Sequence, residues 1–156
     1  MFSDSLRPHQ TRAYNAMTTG NGKVIIPTGG GKTFVMIADC IRELSTKTDQ
    51  TIVVVAPRIL LANQLCSEFF EQNLDGKYNL TIECLHVHSG ETVHASTLKT
   101  DHIVRWQNNV MQTGENRIIF TTYHSLHRVV DSGILIAVSY THLRAHETKA
   151  NLVFRR

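Results

Sequence analysis

No apolar run in this chain approaches the roughly 18 residues that crossing a bilayer requires. Residues 1–12 are polar and lack the apolar stretch of a secretory leader. These absences lead to the expectation of a cytoplasmic protein with no membrane partner. Cysteine is scarce: Cys40, Cys66 and Cys84 are odd in number, widely spaced and without a Cys-x-x-Cys pair. That excludes a disulfide scaffold and implies small buried thiols in a reducing compartment. Histidine is the exception, with nine copies. His86 and His88 would share a strand face, and His124 and His127 a helix face. No cysteine or carboxylate joins either pair at a familiar ligand spacing, so no metal site built from them is expected. Internal repeats and low-complexity segments are absent as well.

Against this background one segment stands out. The apolar run Val24-Ile25-Ile26 leads into Pro27-Thr28-Gly29-Gly30-Gly31-Lys32-Thr33, and a second apolar run, Phe34-Val35-Met36-Ile37, follows. A strand, a glycine turn and a helix in that order make a phosphate cradle. Glycines let backbone N–H groups point inward without a Cβ in the way, and the helix adds its positive N-terminus. Lys32 is placed to reach the β- and γ-phosphates of ATP, and Thr33 to put its hydroxyl on Mg²⁺. Thr28, Gly29, Gly30 and Gly31 shape the loop.

Ile26 occupies the position where the general P-loop pattern has glycine. The segment instead resembles motif I of superfamily 2 helicases, in which Pro-Thr-Gly-x-Gly-Lys-Thr is usual. Other landmarks resemble that family in order, from about Leu6 to Val138. Leu6-Arg7-Pro8-His9-Gln10 is similar to its adenine-reading segment, which implies that Gln10, with Arg7, reads the base. An amide suits adenine because it donates and accepts together. Thr51-Ile52-Val53-Val54-Val55-Ala56-Pro57 resembles motif Ia. There Arg58 stands where Thr is frequent, and Ile59 where Arg is frequent. Val87-His88-Ser89-Gly90 resembles a loop that touches the nucleic-acid strand. Residues 117–126 resemble motif Ib and its neighbour. The resemblance therefore implies that Arg58, Gly90, Thr122 and Tyr123 contact DNA or RNA. It is nearest to the helicase subunits of type III restriction enzymes and to DEAD/DEAH proteins of phage type. In the intact family, ATP closes two RecA-like domains on a strand, and the second supplies arginines to the γ-phosphate.

Motif II should come next, with an acidic pair for Mg²⁺ and the attacking water. Ile134-Leu135-Ile136-Ala137 reads as the strand leading to it. Yet no Asp-Glu pair occurs after residue 91. Instead residues 138–148 read Val-Ser-Tyr-Thr-His-Leu-Arg-Ala-His-Glu-Thr. That is one translated frame of a transposase sequencing adapter, and residues 151–155 resemble its next segment. The expectation is an incomplete ATP-binding domain over 1–137 and a non-native tail over 138–156, lying outside the core. The net charge of +3 is mostly the tail's. Without Arg144, Lys149, Arg155, Arg156 and Glu147 the basic and acidic residues are equal in number. Strand contacts must therefore come from local loops rather than a global field.

Length and 42% hydrophobic content suit one domain. Hydrophobic periodicity predicts helices over 6–16, 32–44, 59–70, 100–112 and 123–130, and strands over 24–26, 51–56, 80–87, 117–121 and 134–137. In the helix over 100–112, Ile103, Val104 and Val110 are expected inward, and Trp106 on the core rather than on a base. Continuous apolar strands alternating with helices mean an α/β fold, a mainly parallel sheet covered on both faces. With the resemblance, this is a truncated RecA-like P-loop domain. Residues 28–33, 57–58, 88–90 and 121–123 all follow strand ends, which groups them on one edge. A P-loop kinase acting on a small molecule is the alternative enzyme class; Ile26-Pro27 and the lack of an arginine-rich lid weigh against it. An inactive nucleotide-binding fragment is the other alternative.

Overall fold

A computed structural model describes residues 5–27, 31–75, 80–90, 92, 94–146 and 149–155. Helix α1 (Pro8–Ala16) opens with proline at its first position, where a missing N–H is harmless. Its start is closed by a capping contact, Arg7 N–H donating to Gln10 Oε1 at 2.8 Å. A 3₁₀ turn (Met17–Thr19) carries the chain into β1 (Gly22–Pro27). Then come α2 (Lys32–Thr46), β2 (Thr51–Ala56) and α3 (Ile59–Asp75). They are followed by β3 (Ile82–Val87), the short β4 (Ala95–Ser96), α4 (Thr100–Met111), β5 (Asn116–Thr122) and α5 (Leu126–Asp131). Strands β6 (Val138–His146) and β7 (Lys149–Arg155) complete the chain.

The strands form one seven-stranded sheet in the order β1-β7-β6-β2-β5-β3-β4. Pairs β2–β5, β2–β6, β3–β5 and β3–β4 are parallel. Strand β7 runs against its neighbours, β1 and β6. Every residue of β2 and β5 is buried, as strands covered on both faces must be. Alternation sorts their side chains. Ile52, Val54, Ile118 and Phe120 join the core under α1, α2 and α3. Val53, Val55 and Ile119 join Ile103 and Val129 under α4 and α5.

At the amino ends of β2 and β5, two buried polar side chains are hydrogen-bonded. Asn116 Nδ2 donates to the carbonyls of Leu44 and Lys47, at 3.0 and 3.1 Å, satisfying the end of α2. Arg117 is buried and donates to Thr51 Oγ1 at 2.8 Å and Asp49 Oδ1 at 2.6 Å. This edge is structural, and it leaves the opposite edge for ligands.

The predicted elements recur with shifts at their ends, but three expectations fail. Residues 134–136 hold no regular structure, and Leu135 is 84% exposed. Pairing with β2 begins only at Val138, opposite Ile52. Segments 138–146 and 149–155 are not outside the core, since Tyr140, His142, Leu152 and Phe154 are buried in the sheet. The physical reason is period-two alternation. Val138, Tyr140, Leu152 and Phe154 all face the core under α2, and a hairpin with its own partner strand outcompetes a four-residue strand. Val104 is the third correction: it is exposed, while Ile103 and Val110 are buried and Trp106 packs on the core.

Candidate nucleotide-binding site

Strand β1 delivers the chain to the sheet's carboxyl edge, where α2 begins at Lys32. Thr28, Gly29 and Gly30 lie outside the described residues. Gly31 is described, and its conformation explains its identity. Its φ is +78°, and a Cβ there would lie 2.2 Å from Gln10 Nε2. Gln10 Nε2 donates to the Gly31 carbonyl at 3.2 Å. Gln10 is thus buried against the loop and tied through its Oε1 to Arg7. A cavity of about 310 Å³ opens beside this contact, lined by Leu6, Arg7, Gln10, Gly31, Phe34 and Gln72. It has the size and mixed lining of a small-ligand pocket. The structure therefore brings together Arg7, Gln10, Gly31 and the start of α2.

Lys32 and Thr33 are half-buried in the first turn of α2. Burial holds the Lys32 ammonium below its ordinary pKa, because a cation loses water there without gaining an anion. A phosphate at the helix N-terminus would supply that anion. The residues present thus fit a nucleotide. On β6, His142 lies against α2. Its ring is buried, with Nε2 3.2 Å from Met36 Sδ and Nδ1 without a partner. Burial, and then the charge of Lys32, push its pKa down to about 3. From residue 132 onward the sole acidic residue is Glu147, which lies outside the described residues.

The residues expected to meet a nucleic-acid strand cluster beyond β2, β5 and β3. Arg58 is exposed, directly before α3. Gly90 packs so closely on α3 that a Cβ would lie 2.6 Å from Ile59 Cγ2. Tyr123 N–H donates to the Ala56 carbonyl at 3.0 Å, holding the β5 turn to the end of β2. Its hydroxyl donates to the His142 carbonyl, and its ring stays partly exposed. Thr122 differs: it is buried, and its Oγ1 accepts from Ser125 N–H at 3.3 Å, so its side chain serves the turn. Phe34, Leu6 and Gln72 of the cavity wall were not singled out from the sequence. Phe34 was read only as part of an apolar run, and no local pattern marks Gln72.

Residues 3–153 match the family described as type III restriction enzyme, res subunit. The chain belongs to that family. Its fold is the RecA-like ATP-binding domain of superfamily 2 helicases, as the resemblance implied. Two solved structures are similar in fold. One is a nuclease-deletion mutant of the Type ISP restriction-modification enzyme LlaGI in complex with a DNA substrate mimic, with TM-score 0.69 and 21% identity over 83% of this chain. The other is the ATP-dependent Type ISP enzyme LlaBIII bound to DNA, with TM-score 0.64 and 19% identity over 83% of this chain. The chain spans only 14% and 9% of the lengths of those two proteins. A search of curated proteins finds no match. Among the described residues no helix is long and apolar enough to cross a membrane.

Proposed function

We propose that this res-subunit family member binds ATP with Mg²⁺ as part of a nucleic-acid-dependent helicase or translocase, working in the cytoplasm of a bacterial or phage-infected cell. The observation that carries this is the Gly31-Lys32-Thr33 turn at the end of β1, with Gln10 fastened to it and a cavity alongside. Lys32 would hold the β- and γ-phosphates, Thr33 the Mg²⁺, and Thr28, Gly29, Gly30 and Gly31 the phosphate oxygens through backbone N–H groups. Arg7 and Gln10 would face the base, with Phe34 as an apolar wall. Arg58, Gly90 and Tyr123 would meet the strand, while Thr122 would hold their turn. The DNA in both similar structures supports a nucleic-acid partner.

Residues 138–156 are, on this reading, not the native continuation of the domain. Three features favour that: the adapter match, the exposed side chains of Leu135 and Ile136, and Ser139-Tyr140 where the Asp-Glu pair is expected. The native frame would continue from Ala137 into an Asp-Glu motif and a second RecA-like domain. The chain itself then turns over ATP negligibly, since an arginine finger alone contributes on the order of 10³–10⁵ in rate. Steady-state ATPase assays with single-stranded and duplex DNA and RNA test this. The recovered full-length gene product should be strand-stimulated and the 156-residue chain silent. Strand-stimulated turnover by the chain would overturn the fragment reading.

A further inference from the structure

A second constellation lies far from the nucleotide site and belongs to neither the cradle nor the strand edge. The cysteines of α3 and β3 are the small buried thiols expected from sequence, and folding sets Cys66 beside Cys84 and both beside His86. Their ligand atoms all lie within 4.8 Å of one another, and all three residues are buried. The two sulfurs stand 3.9 Å apart. Two thiolates on one tetrahedral zinc, each about 2.3 Å from the metal, stand about 3.8 Å apart, so this spacing suits a shared ion.

Two further observations point to a missing polar ligand. His86 Nδ1 faces His88 Nε2 at 3.1 Å, which leaves Nε2, and that atom is buried without a hydrogen-bond partner. Asn63 Oδ1 is likewise buried without a partner. Both residues, with Cys66 and His94, line a cavity of about 350 Å³. Buried polar atoms without partners are uncommon in native proteins and call for an explanation.

We propose that Cys66, Cys84 and His86 bind a thiophilic divalent ion such as Zn²⁺, with a fourth position open to water from the cavity. Binding releases two thiol protons to solvent, so Zn²⁺ and two thiolates leave no net charge in the core. The chemistry is soft sulfur and imidazole, which selects zinc over magnesium. From β1 to β3 there are five strand-to-strand steps in the sheet, about 24 Å at the usual spacing. The ion would pin α3 to β3, immediately before the loop His88-Ser89-Gly90.

There is a consequence for that loop. Gly90 N–H now donates to His88 Nδ1 at 3.0 Å. A metal on His86 Nε2 leaves that ring's proton on Nδ1, where it donates to His88 Nε2, since ligating histidines pass their second N–H outward. His88 then carries its own proton on Nδ1 and cannot accept from Gly90. Metal loading therefore loosens Gly90 from His88, and it does so whether or not the chain binds nucleotide.

Titration of the reduced, chelator-treated chain with Co²⁺ and then Zn²⁺ tests the site. One Co²⁺ per chain should bring thiolate-to-cobalt charge-transfer absorption, which one equivalent of Zn²⁺ abolishes. Cys66→Ser and Cys84→Ser should each weaken binding by at least the roughly 100-fold that losing an outer-shell partner can produce. Cys40→Ser, on α2 outside the cluster, should leave it unchanged. X-ray absorption on the zinc-loaded wild type guards against misfolded variants. It should find two sulfurs at about 2.3 Å and nitrogen at about 2.0–2.1 Å. Absence of the charge-transfer band, a zinc shell of nitrogen and oxygen alone, or a Cys66–Cys84 disulfide forming despite stoichiometric zinc would each overturn the proposal.

Discussion

Gln10 Nε2 donates to the Gly31 carbonyl at 3.2 Å, joining α1 to the glycine turn before α2 across 21 residues of sequence. The same amide accepts from Arg7 N–H, so one side chain closes the start of α1 and fixes the turn that precedes Lys32. A residue read as a base reader is therefore also a loop anchor. Any change in the loop is felt by the cavity between them.

Replacing Gln10 by alanine should act on both roles. Losing two partly buried hydrogen bonds should lower stability by about 1–3 kcal/mol. Thermal unfolding by circular dichroism measures that. Calorimetric titration with Mg-ATP and Mg-GTP should find weaker ATP binding and a narrower preference for ATP. Unaltered stability and preference would mean the contact serves neither end.

Stability should also fall with acid through His142. Its pKa is depressed to about 3 in the folded chain, against 6.5 for the ordinary group. Between those values the unfolded chain binds the extra proton. The stabilising contribution is therefore complete above about pH 6.5 and is lost as pH falls toward 3, with a slope of up to about 1.4 kcal/mol per pH unit. Urea unfolding at stepped pH should trace this slope. His142→Gln should flatten it, and an unchanged slope in that variant would place the group outside the core.

Truncation after Ala137 gives a sharper contrast. The expectation from sequence alone was that residues 138–156 contribute little. In the sheet the described residues among them form β6 and β7, which join β1 to β2. Tyr140 also donates its hydroxyl to the buried Asp39 of α2. Cutting there should leave two separated sheet edges and the apolar side chains of α2 uncovered. The shortened chain should lose cooperative unfolding and bind a hydrophobic dye. A sharp transition near that of the full chain would contradict the sheet order.

Most of this architecture could be read from pattern. Continuous apolar runs such as residues 52–55 and 118–120 announced a parallel sheet, and the Gly-Lys-Thr turn marked where α2 begins. Local signals carried that information because each element pairs with period and punctuation close in sequence. The last two strands were different. Alternation in Val138, Tyr140 and His142 is short and is soon followed by Arg144, and it becomes meaningful only against α2, some hundred residues earlier. The Cys66–Cys84–His86 cluster was hidden for the same reason, since α3 and β3 meet only in the folded chain. Even Gln10 was legible for its donor and acceptor groups but not for the atom it holds.

Nucleotide binding at Lys32 is the central claim. An equilibrium titration of the chain and of Lys32→Ala with a fluorescent ATP analogue tests it most directly, with far-ultraviolet circular dichroism to establish that both are folded. The lysine's charge-assisted contact should contribute about 1.5–3 kcal/mol, so the variant should bind at least about tenfold more weakly while keeping its fold. Equal affinity in the two folded proteins would contradict the assignment of this site.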